Sequence, residues 1–320
     1  MSTISPSPAA PAHAPWLSYL SLGASMALVG SYVSLSKVLV VVFPIFLLAW
    51  LRFGIAAVAM APWVRRAPDE ATLSAHDRWL LFLESFFGNF LFSICMLFGV
   101  AMSSALAAGV IMAGIPAAVA LMSRAFLKER IGARVMLGIG CAVGGIALVS
   151  LAKSGNAHGA GGDGSSLLGN LLLLGAVTCE ASYVVIGKKL AARISPKRIS
   201  ALINLWGLAL VTPLGVWQAL RFEFGVVAPS AWALLGFYSI AASMITVWLW
   251  MTGLRHVPAA KAGIFTVLLP VSAAAVGVLF LGEHFSTAQA GALTLALIGV
   301  VLATWPSGAP STTTATPPPG

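Results

Sequence analysis

Residues 99–129 read GVAMSSALAAGVIMAGIPAAVALMSRAFLKE, and residues 253–283 read GLRHVPAAKAGIFTVLLPVSAAAVGVLFLGE. The second stretch repeats the first at a constant spacing of 154 residues, with matches at Gly99/Gly253, Ala105/Ala259, Gly109/Gly263, Pro116/Pro270, Phe126/Phe280, Leu127/Leu281 and Glu129/Glu283. An earlier match, of residues 31–33 with residues 182–184, has a spacing of 151 residues. The chain is therefore an internal duplication, and a small loop change separates the two copies.

The composition excludes a water-soluble protein. Of the 320 residues, 59% are hydrophobic and only 8% are charged, whereas soluble domains carry about 25% charged residues. The formal net charge of +9 does not indicate nucleic acid, because the positive residues form short clusters between apolar runs rather than one basic face. We expect lipid to be the solvent of most of the chain.

Both ends and the cysteines carry little chemistry. Residues 1–16 contain no Lys or Arg, so they lack the charged start of a cleavable signal peptide. Residues 306–320 consist only of Pro, Ser, Thr, Ala and Gly. We expect both ends of the chain to be disordered. Cys95, Cys141 and Cys179 fall within apolar runs without metal-ligand spacing. We expect no metal site and no cofactor.

The apolar runs predict an all-α membrane protein with ten transmembrane helices. A spanning helix needs about 20 apolar residues, and the expected spans are 17–39, 44–63, 79–100, 104–125, 132–151, 166–187, 199–219, 231–252, 260–281 and 287–305. The first five-helix repeat then covers residues 17–152 and the second covers residues 166–305. Between them, residues 153–165 form a Gly-rich linker.

The distribution of Lys and Arg predicts the orientation, because cytoplasmic loops carry the positive excess. With both termini in the cytoplasm, fourteen of these residues lie inside, three lie outside and Arg52 lies within a helix. Each copy has an odd number of helices, so the second copy must cross the membrane in the opposite direction. Two inverted five-helix repeats are typical of carriers that alternate between two access states.

Several motifs resemble one family of membrane proteins. They are Gly30-Ser31-Tyr32 with Lys37, Leu51-Arg52-Phe53, Pro116 followed by Leu127-Lys128-Glu129-Arg130, and Pro270 followed by Leu281-Gly282-Glu283-His284. This pattern resembles the EamA-type branch of the drug/metabolite transporter superfamily over about residues 17–305. The resemblance implies an inner-membrane carrier that exports amino acids, related metabolites or drugs. It also implies a central cavity lined mainly by helices 1, 3, 4, 6, 8 and 9.

Glu180 departs from the family pattern, which usually has an aromatic residue there. It lies eight residues before Lys188, so at 1.5 Å per residue it is about 12 Å from the cytoplasmic boundary. An ionised carboxylate at that depth costs about 2.5–3.5 kcal/mol. It must therefore face a cavity, pair with a cation or stay protonated. We predict that Glu180 couples cargo movement to protons or binds a cationic part of the cargo, whereas the alternative is snorkelling towards Lys188 or Lys189. Tyr183 lies one turn on, on the same face.

Two further charges lie within predicted spans. Arg52, in the second helix, is expected to form a structural ion pair or a carbonyl clamp, with Glu84 or Glu180 as its partner. Glu84 follows Arg78 by only six residues, and we expect it at the membrane interface. Glu129 and Glu283 occupy matching positions and are expected to cap or terminate helices 4 and 9.

The remaining cavity candidates are polar or aromatic residues in the predicted spans, namely Tyr32, Asn89, Trp248 and Trp250. Trp248 and Trp250 are two residues apart and face different ways on a helix, so we expect one of them to line the cavity. Pro116 and Pro270 interrupt helices at matching positions, and we predict that they act as hinges. The alternative for both prolines is a kink without a role in movement.

These features predict a secondary carrier for a small-molecule substrate in the inner membrane. The sequence lacks a Walker A pattern for ATP, and it lacks HExxH and GxSxG patterns, so we expect no enzyme activity. Multidrug efflux is the alternative function; a membrane enzyme and a receptor are less well supported. The sequence leaves open the cargo, the coupling ion, the direction of transport and the oligomeric state.

Overall fold

The computed structural model describes residues 15–66, 70, 72–102, 111–155, 167–269, 271–272, 275 and 287–305. All regular structure in those residues is helical. The α-helices are α1 Pro15–Val42, α2 Ile45–Ala59, α3 Ala75–Ser85, α4 Phe92–Ala101, α5 Ile115–Met122, α6 Ala133–Gly155, α7 Leu167–Ala191, α8 Pro196–Ala219, α9 Pro229–Ser239, α10 Thr246–His256, α11 Ala259–Ile264 and α12 Thr287–Thr304.

Four stretches of the described residues are long and apolar enough to cross a bilayer, namely Ala75–Met96, Leu167–Ala191, Pro196–Ala219 and Pro229–His256. Shorter apolar helices cover Ile45–Ala59, Ile115–Leu127 and Ala133–Leu148. The predicted ninth span and the junction between the third and fourth spans are only partly described. The helical membrane fold agrees with the sequence prediction, and the exact count of ten helices stays a prediction.

The third span begins earlier than the hydropathy indicated. Helix α3 starts at Ala75 rather than at residue 79, because Ser74 and Asp77 form a capping box. The Ser74 side chain accepts a hydrogen bond from the Asp77 amide at 3.0 Å, and the Asp77 carboxylate accepts one from the Ser74 amide at 3.0 Å. These two bonds satisfy amide groups that a helix start otherwise leaves unpaired. Capping chemistry, not apolarity, therefore determines where this helix begins.

Two π-helical turns occur at equivalent positions of the repeats. The turn Phe86–Leu91 joins α3 to α4, and the turn Ile240–Ile245 joins α9 to α10. They are 154 residues apart, which is the spacing of the duplication. In each turn an amide donates to the carbonyl five residues earlier, from Phe92 to Phe87 and from Thr246 to Ala241. Such turns are rare and are frequently found at functional sites.

The two copies pack mainly against each other. The most extensive helix pairs among the described residues are α6 with α12, α2 with α8, α1 with α10, α4 with α7, α5 with α7, and α5 with α11. Each pair joins a helix of the first copy to a helix of the second. Exchanging the copies converts the α1–α10 pair into the pairing of α4 with α7, as expected for a pseudo-two-fold relation between repeats. The shared interface thus runs through the middle of the molecule.

Glycines allow one of these pairs to approach closely. A Cβ atom on Gly299 of α12 would lie 2.6 Å from the carbonyl oxygen of Gly138 on α6, and a Cβ atom on Gly138 would lie 2.8 Å from the carbonyl oxygen of Gly299. In lipid, small residues at a helix crossing let the backbones come into van der Waals contact, and this contact drives association. These two glycines allow the backbones of α6 and α12 to pack directly against each other.

Candidate functional site

A cavity of about 570 Å³ lies between the two copies. Residues from α1, α2, α4, α5, α6, α7, α8 and α10 form its wall, together with the π-turns Phe86–Leu91 and Ile240–Ile245 within the third and eighth spans and the turn after α11. Cavities that hold small molecules typically measure about 300–1,000 Å³. The cavity therefore has the size and the inter-repeat position of a small-molecule site.

The cavity brings together four residues that the sequence predicted to share a site. Glu180 and Tyr183 come from α7, Asn89 from the first π-turn and Trp250 from α10. The Asn89 amide donates a hydrogen bond to Ser85 at 3.3 Å. Glu180 forms no ion pair or hydrogen bond with any described residue, so the alternative contact with Lys188 or Lys189 is not seen in this part of the chain. Its carboxyl group faces the cavity.

Arg52 also lines the cavity, and the predicted ion pair with Glu84 or Glu180 is wrong. Its guanidinium carbon lies 4.4 Å from the ring centroid of Phe53 and 5.9 Å from that of Tyr238. Attraction to the negative faces of these rings stabilises the cation without a carboxylate. The Nε atom of Arg52 is buried without a hydrogen-bond partner among the described residues. A cation and an acid thus face one cavity without pairing with each other.

Among the polar residues of the wall that sequence reasoning missed are Asn204 and Ser243. Asn204 donates from its amide nitrogen to the carbonyl oxygen of Phe53 at 2.9 Å, and its own side-chain oxygen is buried without a partner in the described part of the chain. The same holds for the Ser243 hydroxyl and the Trp250 indole N–H. Leaving a buried polar group unpaired costs about 1–3 kcal/mol. Ser243 could have been found from the sequence, because the repeat spacing of 154 makes it the equivalent of Asn89.

Of the two tryptophan candidates, Trp250 lines the cavity and Trp248 does not. Its ring centroid lies 6.0 Å from that of Trp63, and Lys197 Nζ lies 5.9 Å from the Trp248 ring. Trp250, two residues on, points the other way and is 2% exposed. The Tyr32 side chain and the whole of Pro270 lie outside the described residues.

Glu84, which was predicted at the membrane interface, is buried within the protein. It is 0% exposed, and neither of its carboxyl oxygens has a hydrogen-bond partner among the described residues. The carboxyl group fits against Gly187, where a Cβ atom would lie 2.7 Å from Oε1. Glu84 lies outside the cavity lining. Because an unpaired buried charge is very costly, this side chain is expected to be held as the neutral acid.

Pro116 does not itself interrupt a helix. It lies just after the interruption. Residues 113–114 form a turn, the Gly114 amide donates to the Ile111 carbonyl at 3.0 Å, and α5 begins at Ile115. Pro116 therefore occupies the first turn of α5, where its missing N–H removes no helical hydrogen bond. Ile115 and Met112, on either side of the interruption, both line the cavity. The break in the helix thus adjoins the site.

One end of the cavity is closed by a packed core. Trp250 forms part of the cavity wall and belongs to a buried cluster with Leu254, Val257, Ala259 and Phe265. The same cluster includes Leu190, Ile194 and Ile199, next to the connection between α7 and α8. These residues lie at the end that the charge distribution predicts to be cytoplasmic, called the inner end below. These buried side chains pack between Trp250 in the cavity wall and the inner end of the helices.

Comparison with known proteins identifies similar chains. A family model described as the EamA-like transporter family matches residues 16–151 and 167–305. The chain is 34% identical over 268 residues to an uncharacterized transporter of Bacillus subtilis, YetK, covering 83% of this chain and 80% of that protein. It is 28% identical over 134 residues to a second uncharacterized transporter of Bacillus subtilis, YwfM, covering 42% of this chain and 44% of that protein.

A solved structure titled "Crystal structure of protein" has a similar fold. It matches with a TM-score of 0.68 and 19% sequence identity, and the match covers 88% of this chain and 95% of that one. At this identity the likeness concerns the fold alone. It agrees with the helical architecture and the inter-repeat packing described above.

Proposed function

The chain belongs to the EamA-like transporter family of the drug/metabolite transporter superfamily, and from this premise we propose that it exports amino acids or related small metabolites by alternating access. It is a multi-pass membrane transporter and not an enzyme. The proposal places it in the inner membrane with both termini in the cytoplasm. The proposed cargo class and coupling rest on the residues of the cavity, whereas the proposed export direction rests on the family resemblance.

One observation carries the proposal: Glu180 and Arg52 face the same cavity without pairing with each other. Ionisable residues within a membrane are costly and typically mark the path of a substrate or a proton. A small cargo with a cationic and an anionic group would satisfy both side chains. The unpaired atoms of Asn204, Ser243 and Trp250 supply further hydrogen-bonding positions for such a cargo.

Proton coupling is the second part of the proposal. A carboxyl group in low-dielectric surroundings favours its protonated form, so Glu180 would lose its proton when water or a cationic cargo group enters. The equivalent residue of the first repeat, Val29, lines the same cavity but cannot titrate. A single titrating group in a pseudo-symmetric cavity would make the two access states respond differently to pH.

Multidrug efflux is the second candidate, and it is favoured by the sulfur-rich part of the wall. Met26, Met96 and Met112 all line the cavity. Methionine side chains are flexible and polarisable, and they adapt to ligands of different shapes. A wall of this kind suits large apolar cations, which Glu180 could also neutralise.

Transport by purified protein in proteoliposomes tests these proposals. A panel of labelled amino acids and aromatic drug cations is offered with and without an imposed pH gradient. We expect accumulation of at least one amino acid or related metabolite, dependent on the gradient. Accumulation of drug cations alone would favour efflux of drugs, and no gradient-dependent flux of either class would contradict both candidates. Liposomes without protein provide the baseline.

The proposed topology predicts labelling from opposite sides of the membrane. Single cysteines at Ala192 and Gly225 are introduced after replacement of Cys95, Cys141 and Cys179. Both positions are exposed, and a Cβ atom on Gly225 meets nothing within 4 Å. An impermeant maleimide should label position 225 from outside intact cells and position 192 only after permeabilisation. Labelling of both positions in intact cells would contradict the inverted-repeat orientation.

The hinge role of the prolines predicts slow transport in two variants. Replacing Pro116 or Pro270 by Ala should lower the transport rate while expression and insertion stay normal, because alanine permits a straighter helix beside the cavity. Pro213→Ala is the matched control, since Pro213 is an exposed proline inside α8 that does not line the cavity. Rates in both single variants equal to that of the control would mean that the prolines only affect packing.

A further inference from the structure

Glu129 connects the loop after the fourth span of the first repeat to the start of a helix in the second repeat. It follows the π-turn Ser123–Leu127, and Lys128 before it has a positive φ of 55°, which reverses the chain direction. The Glu129 carboxylate accepts hydrogen bonds from the amides of Ala259, at 2.8 Å, and Ala260, at 3.1 Å. These are the first two amides of α11, which a helix start leaves without partners. The two oxygens each bind one amide.

Lys188 binds the other end of the short connection from the end of α10 to the start of α11, which comprises residues 255–258. Its Nζ atom donates hydrogen bonds to the carbonyl oxygens of Leu254, at 2.8 Å, and Arg255, at 3.1 Å, in the last turn of α10. A cation at a helix C-terminus and an anion at the next helix N-terminus both complement the helix dipoles. Residues 255–258 are therefore held from both ends by two charged side chains, one from each repeat.

The connection held in this way forms part of the seal at the inner end of the cavity. Leu254, Val257, Ala259 and Ala262 are buried in the same cluster as Trp250, which lines the cavity. Moving the ends of α10 and α11 apart would open this cluster. The hydrogen bonds made by the charged side chains of Glu129 and Lys188 oppose that movement. They join the loop after α5 to the start of α11, and the end of α7 to the end of α10.

We infer that Glu129 and Lys188 form a latch that keeps the cavity closed at its inner end, and that releasing it shifts the carrier towards the inward-open state. This inference rests on the proposed alternating access. Both residues are positioning residues, because neither lines the cavity. Lys189 is the natural comparison: it is exposed and has no hydrogen bond to the connection.

Accessibility of a cavity residue from each side of the membrane tests the latch without any cargo. The reporter is Ser200→Cys, one turn from the inner start of α8 and part of the cavity wall, in a chain whose three native cysteines are replaced by Ala. An impermeant thiol reagent is applied to inside-out and to right-side-out vesicles. Each rate is measured with the latch intact, with Glu129→Gln, with Lys188→Gln and with Lys189→Gln.

In inside-out vesicles, Glu129→Gln and Lys188→Gln should each raise the labelling rate of the reporter cysteine about tenfold. Each variant loses one charge-assisted contact, and such a contact biases a two-state equilibrium by about that factor. Labelling from the outer side should fall in the same variants, whereas Lys189→Gln should resemble the intact latch. A rise from both sides would indicate partial unfolding and overturn the latch. Equal rates for Lys188→Gln and Lys189→Gln would also overturn it. A failure to transport amino acids would leave these labelling results unchanged, so the two proposals are tested separately.

Discussion

Replacing Glu180 by Gln is expected to abolish accumulation of cargo against its gradient while exchange at equal concentrations continues. Glutamine keeps the size and hydrogen-bonding capacity of the side chain but cannot release a proton. If Glu180 carries the coupled proton, the variant loses the link between the pH gradient and cargo movement. The expected loss is complete for accumulation, and the exchange rate should change by less than about tenfold, the effect of one ordinary hydrogen-bond change.

Uptake into proteoliposomes under an imposed pH gradient, followed by counterflow without a gradient, measures the two activities on one preparation. Glu223→Gln is the matched control, because Glu223 is an exposed acid in the connection between α8 and α9. It should retain accumulation. If Glu180→Gln concentrates cargo with the pH dependence of the unchanged protein, Glu180 does not couple protons, and the buried acid Glu84 becomes the next candidate.

Replacing Gly88 by Ala is expected to slow transport severely. Gly88 lies in the first π-turn and lines the cavity next to the Tyr183 ring. A Cβ atom there would overlap Cδ2 of the Tyr183 ring and lie 2.9 Å from Cγ. The ring or the π-turn must shift, and a displacement of about 1 Å beside a binding site can cost about 100-fold in rate. The expected decrease is therefore between about tenfold and 100-fold.

A double-mutant cycle separates this collision from a general loss of stability. In a Tyr183→Ala background the ring is absent, so adding Gly88→Ala should cause little further decrease in the transport rate. Gly54→Ala in α2 is the control for adding a methyl group to a helix, because a Cβ atom on Gly54 meets nothing within 4 Å. Equal losses from Gly88→Ala in the presence and absence of the Tyr183 ring would contradict the proposed contact.

Depth in the membrane is readable from sequence, and this explains which cavity residues were predicted. Glu180 lies eight residues before Lys188 and Asn89 lies eleven residues after Arg78, and the cavity contains both. Depth does not specify the direction in which a side chain points. Trp248 has almost the same depth as Trp250 but packs near Trp63, and the sequence left open which of the two faces inward.

Partners of buried charges were predicted poorly for a related reason. Arg52 and the two acids lie in different helices, and whether their side chains meet depends on the crossing angles and rotations of those helices. Arg52 instead lies over Phe53 and near Tyr238. Glu84 was expected near the interface because it follows Arg78 closely, and the sequence did not indicate that packing by Gly187 and its neighbours buries it completely.

The sequence by itself determined the duplication, the helical membrane class and the set of chemically costly residues. The duplication is visible in the order of residues alone. The membrane class and the costly residues depend on the hydropathy along each helix, because the bilayer imposes one apolar length on every span. Only the tertiary structure decided that Glu180 and Arg52 share a cavity unpaired, and that Glu129 and Lys188 bind opposite ends of residues 255–258. Such contacts join residues far apart in the chain, and their existence depends on how the helices of the two repeats pack together.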